Sequence, residues 1–315
     1  MNLLLESLTT GIALALLLMA GHLSFRLFGC IDMTLEGSVL TGGVISVFWL
    51  LHGVPPALAL PSVFAVGALA GIVTGFLCVY ARMPVCIAGI LTMLVLLLLN
   101  YRFLEGGMVN LNDTSTCYSA VEKLSIKWLH LKPVEIMGWD IHPRDMMAPL
   151  VSFAVLAIAA VLGYWLFCSS FGIALRAAGR NPAGAAGCGI NPALMLVSML
   201  ALTNGLAAVY GALLVQYYGC VDPYWGIASL PAALCGVMLG EYFIRCRSFW
   251  LSWVGGAVLG ALLLRLLLGI AQDFGFSSGE LKIIPVVLLV IFLFVAARRG
   301  KCLRMRNAEG EYAGD

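Results

Sequence analysis

The sequence predicts an all-α, polytopic integral membrane protein with about nine (eight to ten) transmembrane helices. Three observations carry that prediction. Of 315 residues, 62% are hydrophobic and 11% charged; the mean hydropathy is +1.00; and the charges stand outside long apolar runs, ten of them between Glu105 and Asp145 and eight after Ala297. About 20 apolar residues in a helix span roughly 30 Å of hydrocarbon, and a helix satisfies its own backbone there, so little chain remains for a soluble domain. The net charge of +2 comes without a basic patch interleaved with aromatics, which speaks against nucleic acid as a partner.

Taken in order, apolar windows between charges and turn residues predict spans at Leu8–Phe25, Leu35–Leu51, Ala57–Tyr80, Val85–Phe103, Met147–Phe167, Pro192–Tyr217, Ile227–Phe243, Phe249–Ile270 and Ile283–Ala297. The first is read as a mature span, because Met1–Thr10 has Glu6 and no Lys or Arg, the opposite of a secretory n-region. A cytoplasmic tail, with Arg298, Arg299, Lys301, Arg304 and Arg306, also places Arg26, Arg82, Arg176, Arg180, Arg245 and Arg247 inside. That bias sets the amino terminus outside and the carboxy terminus in the cytoplasm. The organisation expected is one transmembrane domain over 1–298, with an external segment at 105–146, a cytoplasmic loop at 168–193 and a tail at 299–315.

Ten cysteines occur without a Cys-x-x-Cys pair, and His22, His52, His130 and His142 are scattered. No metal site and no catalytic set is expected from them. Cys117 and Cys220 are the two cysteines that would share the exterior, which leaves a disulfide between them open. Glycines recur every fourth residue at Gly67, Gly71 and Gly75, at Gly236 and Gly240, and at Gly256 and Gly260. Such stripes let helix backbones approach, as ordinary contacts within a subunit more readily than as a subunit interface. Arg265, near the outer end of its span, reads as a snorkelling side chain.

Two segments look like interrupted helix. Phe28 to Gly43 sets Asp32 and Glu36 one turn apart among four glycines, next to Gly37 and Ser38. Either they line a pathway, where irregular backbone is tolerated at membrane depth, or they sit at the inner headgroup zone and cap a helix amino terminus. Gly226 to Glu241 again mixes glycine, proline and a late acid, running the other way, a hint of an inverted repeat.

The stretch Phe171 to Leu194 has its own helix signals: Asn181 as N-cap, Pro182 at the first helical position, Gly187 or Gly189 as a stop, and Asn191-Pro192 as the next start. A plain connector needs only a few residues, so this one reads as a docking surface for a partner.

Asp32-Met-Thr-Leu-Glu-Gly-Ser38, Ala88-Gly-Ile-Leu-Thr-Met93, Ala174-Leu-Arg-Ala-Ala-Gly-Arg-Asn-Pro182, Gly189-Ile-Asn191, Thr203-Asn-Gly-Leu206, Gly211-Ala-Leu-Leu-Val-Gln216 and Gly240-Glu241 resemble, in order, the permease subunits of ABC importers of the branched-chain amino acid and ribose superfamily. The nearest branch resembles the tryptophan/tyrosine-type permeases. The resemblance implies a membrane homodimer, a separate ATP-binding subunit that binds the ATP, and an extracytoplasmic substrate-binding lipoprotein. It implies a bacterial cytoplasmic (inner) membrane and an amino acid as solute, an aromatic one as the best guess. It also implies an ATPase-coupling helix with flanks at Arg176, Gly179, Arg180, Asn181, Pro182, Gly189 and Asn191, and a pathway near Asp32, Glu36, Gly37, Ser38, Thr92, Asn204 and Glu241. After the Asn-Pro this chain has Ala183-Gly-Ala-Ala-Gly187, where such permeases carry larger or charged residues.

The residues agree on one point independently. Gly-x-x-x-x-Gly-Lys-Ser/Thr is absent, since Gly300-Lys301 precedes Cys302, so the chain has no P-loop of its own. An ion-coupled secondary transporter using Asp32 and Glu36 is the alternative transport reading. An intramembrane enzyme is disfavoured because Ser38, His22 and the cysteines offer no nucleophile and base at workable spacing.

Overall fold

The computed structural model describes residues 2–111, 114–129, 134–136, 139–141, 143–244, 248–277 and 279–298. Among them run α1 (Asn2–Gly21), α2 (Thr34–Leu51), α3 (Pro56–Tyr80), α4 (Val85–Phe103), α5 (Cys117–Leu129), α6 (Pro143–Cys168), α7 (Ser170–Arg180), α8 (Pro182–Gly187), α9 (Pro192–Tyr218), α10 (Ser229–Phe243), α11 (Gly256–Asp273) and α12 (Ile283–Arg298). A π-helical turn, His22–Leu27, prolongs α1, and another, Leu251–Gly255, leads into α11. The tail cations Arg299, Lys301, Arg304 and Arg306, together with Arg245, Arg247, His130 and His142, lie outside the described residues.

Helices stand at all nine expected places, but among the described residues seven are long and apolar enough to cross a membrane. The difference lies in α10 and α12, of 15 and 16 residues. At 1.5 Å per residue α10 reaches about 22 Å, short of a full crossing. Its start is set by local chemistry: Ala228 takes a left-handed φ of 68°, and Pro231 in the first turn has no N–H to leave unpaired.

Helix α1 is the hub. From Leu14 to Ala20 no side chain is more than 2% exposed, the burial expected of a helix apolar on every side. The rim is the reverse. Leu94 and Leu98 of α4, and Ile158, Leu162 and Trp165 of α6, point outward as a surface matched to acyl chains.

Water does not drive helices together inside a bilayer, so small residues that permit close backbone approach decide who packs on whom. A methyl group at Gly71 would overlap the Leu200 carbonyl, and Gly67 and Gly75 lie against Asn204 and Val197 of the same α9. Gly240 meets the Gly256 carbonyl and Gly260 the Gly236 carbonyl, which fastens α10 to α11. These glycine stripes are therefore used within the subunit.

The segment after α4 is tied down rather than loose. Val109–Asn110 pairs antiparallel with Cys220–Val221, the Cys117 amide donates to Gln216 Oε1 at 3.0 Å, and buried Tyr118 shares a 2.9 Å hydrogen bond with Ser152. Cys117 and Cys220 are free thiols. Burial pushes the Cys117 thiol up to about 11.

Candidate functional site

The first cluster grows from the broken start of α2. After the π-helical turn the chain doubles back through Gly29, at φ 68°, and delivers Asp32 to a fully buried position. Its Oδ1 accepts from the Thr34 amide at 2.9 Å and its Oδ2 from Asn204 Nδ2 at 2.7 Å. Asn204 in turn accepts from Ser38 Oγ at 2.7 Å and donates to the Leu200 carbonyl at 2.9 Å. Thr34 shares a 2.8 Å bond with Thr74 of α3. One buried polar network thus joins α2, α3 and α9, with each described side-chain group in it partnered.

Glu36, one turn further along, leaves that network. Its Oε1 accepts from the Leu230 amide at 3.4 Å, and Gly226 presses on the Glu36 carbonyl. The two interrupted segments read from the sequence therefore abut each other. The capping chemistry expected of the acids is present, Asp32 at the start of α2 and Glu36 at the start of α10, where the helix dipole favours negative charge. Their depth differs from the expectation. Asp32 bonds to Asn204, which lies twelve residues into the 27-residue α9, so this cluster sits within the bundle and not at its inner face.

The remaining pathway candidates do not join this cluster. Gly37 packs on Met93 and Leu96 of α4. Thr92 donates to Ala88 of its own helix at 3.0 Å. Glu241 lies at the far end of α10, ion-paired with Arg26 and 3.7 Å from His22 Nε2. Two buried ties were not anticipated, Asn100 Nδ2 to Thr41 Oγ1 at 2.8 Å and Gln216 Nε2 to Ser46 Oγ at 3.1 Å; an amide side chain inside an apolar run was their only signal.

The second cluster is the connection from α6 to α9. Expected to hold one short helix, it holds two. Ser169 accepts from the Gly172 amide and starts α7. Asn181 accepts from Gly184 N at 3.0 Å and starts α8 with Pro182 at its first turn. Gly189, at φ 80°, turns the chain, and Asn191 accepts from Ala193 and Leu194 to start α9. The α7 helix escaped the sequence reading because its apolar side is short and interleaved with glycine.

This connection is anchored on one side and open on the other. Gly179 lies against the Leu27 carbonyl. Arg176 donates to the Phe167 carbonyl at 3.2 Å and its guanidinium stands 5.5 Å from the Phe249 ring centroid, so it serves the bundle and not the outer surface. Arg180, Asn181, Ala183, Gly184, Ala186, Gly187, Gly189 and Asn191 are exposed, while Pro182 and Ala185 are buried.

Arg265 also departs from expectation. Instead of snorkelling outward, it lies beside Tyr210, Tyr218 and Glu6, between helices. A charge inside an apolar run was the signal, and it marks a site by default. Lys282, just before α12, is held below the ordinary lysine range by burial, opposed by the charges of Asp222 and Glu36.

A multi-pass helical bundle with a polar joint between broken helices and a capped, exposed foot at one end has the construction of a transport subunit. The chain belongs to the family described as branched-chain amino acid transport system / permease component, which it matches over residues 3–296. It is 24% identical over 291 residues to a tyrosine transport system permease protein of Clostridioides difficile, covering 92% of this chain and 90% of that one. It is 23% identical over 234 residues to the fructose import permease protein FrcC of Rhizobium meliloti, covering 74% and 59%. It is 30% identical over 150 residues to the LivH permease of Escherichia coli K12, covering 46% and 43%. No solved structure matches. The chain is thus a permease component of an ABC transport system, a transport subunit and not an enzyme, in a family whose members work with an ATP-binding subunit and a substrate-binding protein.

Proposed function

We propose that this chain is the membrane-spanning subunit of an ATP-driven importer of amino acids, with an aromatic amino acid as the favoured solute. Two copies form the permease, a lipoprotein delivers the solute from outside, and a separate subunit binds the ATP. The domain is continuous over 1–298. The amino terminus lies outside and the carboxy terminus in the cytoplasm of a bacterial inner membrane. The solute class is supported by the 24% identity, over nearly both full chains, to the tyrosine permease.

The observation that carries the mechanism is the Asn181-capped α8, exposed on its outer side and anchored behind through Gly179 and Arg176. It lies at the bundle end that also holds Arg26 and Arg180, the arrangement the positive-inside bias expects of a cytoplasmic face. An ATPase gripping α8 pulls α7 with it, and α7 bears on Leu27 at the end of α1. The force so reaches the helix at the centre of the bundle and tilts it between outward-open and inward-open states. Arg180, Asn181, Pro182, Gly189 and Asn191 form the gripped foot, and Arg176 and Gly179 its attachment. Asp32, Ser38 and Asn204, with Glu36 and Gly37 beyond them, form the joint along the pathway; Thr92 flanks it and Glu241 closes the basic end.

The test uses the chain co-expressed with its cognate ATPase and binding protein. The N181G/P182G double variant should insert normally yet lose ATPase association and solute uptake. Unchanged uptake would refute the docking role of α8. Uptake in vesicles driven by a proton or sodium gradient without ATP would refute the ATP-driven reading altogether.

A further inference from the structure

At the bundle end opposite α8, a cavity of about 340 Å³ opens between α1, α9, α10, α11 and the start of α12. Its size falls in the range of small-molecule sites, ~300–1,000 Å³. Its walls are unusual for a space between apolar helices, because they hold charges of both signs: Arg265 from α11, Glu6 from α1, and Lys282 at the head of α12.

The stem of Arg265 packs along α1 at Gly11, where a side chain on Gly11 would begin 3.1 Å from Leu262 Cδ2 and 3.4 Å from the Arg265 Cβ. The guanidinium lies beside buried Tyr210 and beside Tyr218 and Glu6. Tyr218 donates to Glu6 Oε1 at 3.0 Å, which fixes the carboxylate's position and leaves its second oxygen for another donor. Lys282 donates to the Tyr224 carbonyl at 2.7 Å and is steadied at the rim by that bond. Leu14, Trp225, Leu268 and the small Ala232 add apolar wall beside the charges, and Ser7, Thr10, Ser229 and Gln272 add neutral polar groups.

We infer that this cavity is a binding site for a zwitterionic α-amino acid, its carboxylate held by Arg265 and Lys282, its ammonium by Glu6, and its side chain lying against Trp225 and the leucines. The inference rests on the importer reading for its solute class and adds a location within one subunit. The charges decide between the solutes of the relatives. A sugar needs neither an arginine fork nor a carboxylate, whereas a carboxylate is what a planar guanidinium binds in bidentate fashion, and ionisable groups gathered within a bundle mark a site by default.

The experiment uses the full-length permease in lipid nanodiscs, with equilibrium binding of radiolabelled L-tyrosine and L-leucine, of tyramine, which lacks the carboxylate, and of 3-(4-hydroxyphenyl)propionate, which lacks the amine. Saturable binding of at least one amino acid at millimolar affinity or better is expected, with both truncated compounds weaker. R265Q and K282Q should weaken L-tyrosine about tenfold or more and leave tyramine unchanged. E6Q should weaken L-tyrosine and leave the propionate unchanged. A232W, which fills the cavity without touching a charge, should abolish all binding, and it keeps the test decisive if R265Q does not fold. No saturable binding of either amino acid, or binding indifferent to K282Q and A232W, overturns the site.

Uptake by the assembled complex separates the two readings. ATP-dependent tyrosine uptake that A232W does not change would remove the cavity from the pathway and leave the importer standing. Charge-dependent binding in a complex that hydrolyses ATP but moves no amino acid would keep the cavity and remove the proposed solute.

Discussion

Replacing Asn204 with alanine is the sharpest probe of the polar joint. The side chain makes three hydrogen bonds, to Ser38, to Asp32 and to the Leu200 carbonyl. Between membrane helices such bonds average about 0.6 kcal/mol each, because the separated helices also find partners. Two of the three cross between helices and set a floor of about 1 kcal/mol, while the Leu200 bond stays within α9. The ceiling is higher, since Asp32 is wholly buried and loses its Oδ2 partner, and leaving a buried polar group without its partner costs about 1–3 kcal/mol.

The control is Thr92→Ala, which removes a hydroxyl bonded only to its own helix and should cost about 0.5 kcal/mol or less. Reversible unfolding in mixed detergent and lipid micelles measures both. A double-mutant cycle of D32A and N204A should give a coupling of about 0.5–3 kcal/mol, as for side chains in one network. A coupling indistinguishable from zero, or an N204A cost no greater than that of T92A, would show that Asn204 does not hold the start of α2 against α9.

Other consequences follow from single contacts. Reversing one partner of the Arg26 and Glu241 pair, as in E241R, should destabilise the purified permease by about 1 kcal/mol, the scale of partly exposed pairs, and R26E/E241R should recover most of it in a thermal melt. Gly71→Leu drives a side chain into the Leu200 carbonyl and should sharply reduce folded yield by size-exclusion chromatography, at a cost above the usual 1–3 kcal/mol of overpacking; Gly187→Ala, which meets nothing within 4 Å, should match the parent. The Cys117 thiol, raised to about 11, stays protonated to higher pH than an ordinary cysteine. Its alkylation by iodoacetamide near pH 8.5 should therefore be slower by roughly two orders of magnitude than in the SDS-unfolded chain and should keep rising toward pH 11, as thiolate content dictates.

How much of this was legible in the sequence depended on whether a residue's role is local. Asn181, Pro182, Gly189 and Asn191 act on the turn they start or end, so the boundaries of α8 and the start of α9 follow from their chemistry. The long spans were equally plain, because each apolar run reports on its own length. The depth of Asp32 was not plain. It depends on Asn204, 172 positions away in the sequence, and a loop that returns into the bundle has the same composition as one that stops at its edge. Arg265 misled for the same reason: snorkelling and inward pairing differ only in which helices stand beside it, here α1 and α9 with Glu6 and Tyr210.

The half-length α10 draws these observations together. Its start carries the Glu36 contact from α2, and its last turn carries Glu241, paired with Arg26 beyond α1. Its glycines lock it to α11, while Ala232 on another side borders the cavity that Arg265 and Glu6 line. A full span would take its two acid contacts to the two membrane faces and touch its neighbours only along its flanks. A helix beginning inside the bundle instead puts one acid contact at depth and the other at the basic end, so displacement of either end is felt at the other through about 22 Å of rigid helix. Exchanging Glu241 for glutamine should therefore alter accessibility at the α10 start, read as the rate at which a cysteine placed at Ala228 in an otherwise cysteine-free chain is labelled. A rate identical to that of the Glu241 parent would show that the two ends of α10 move independently.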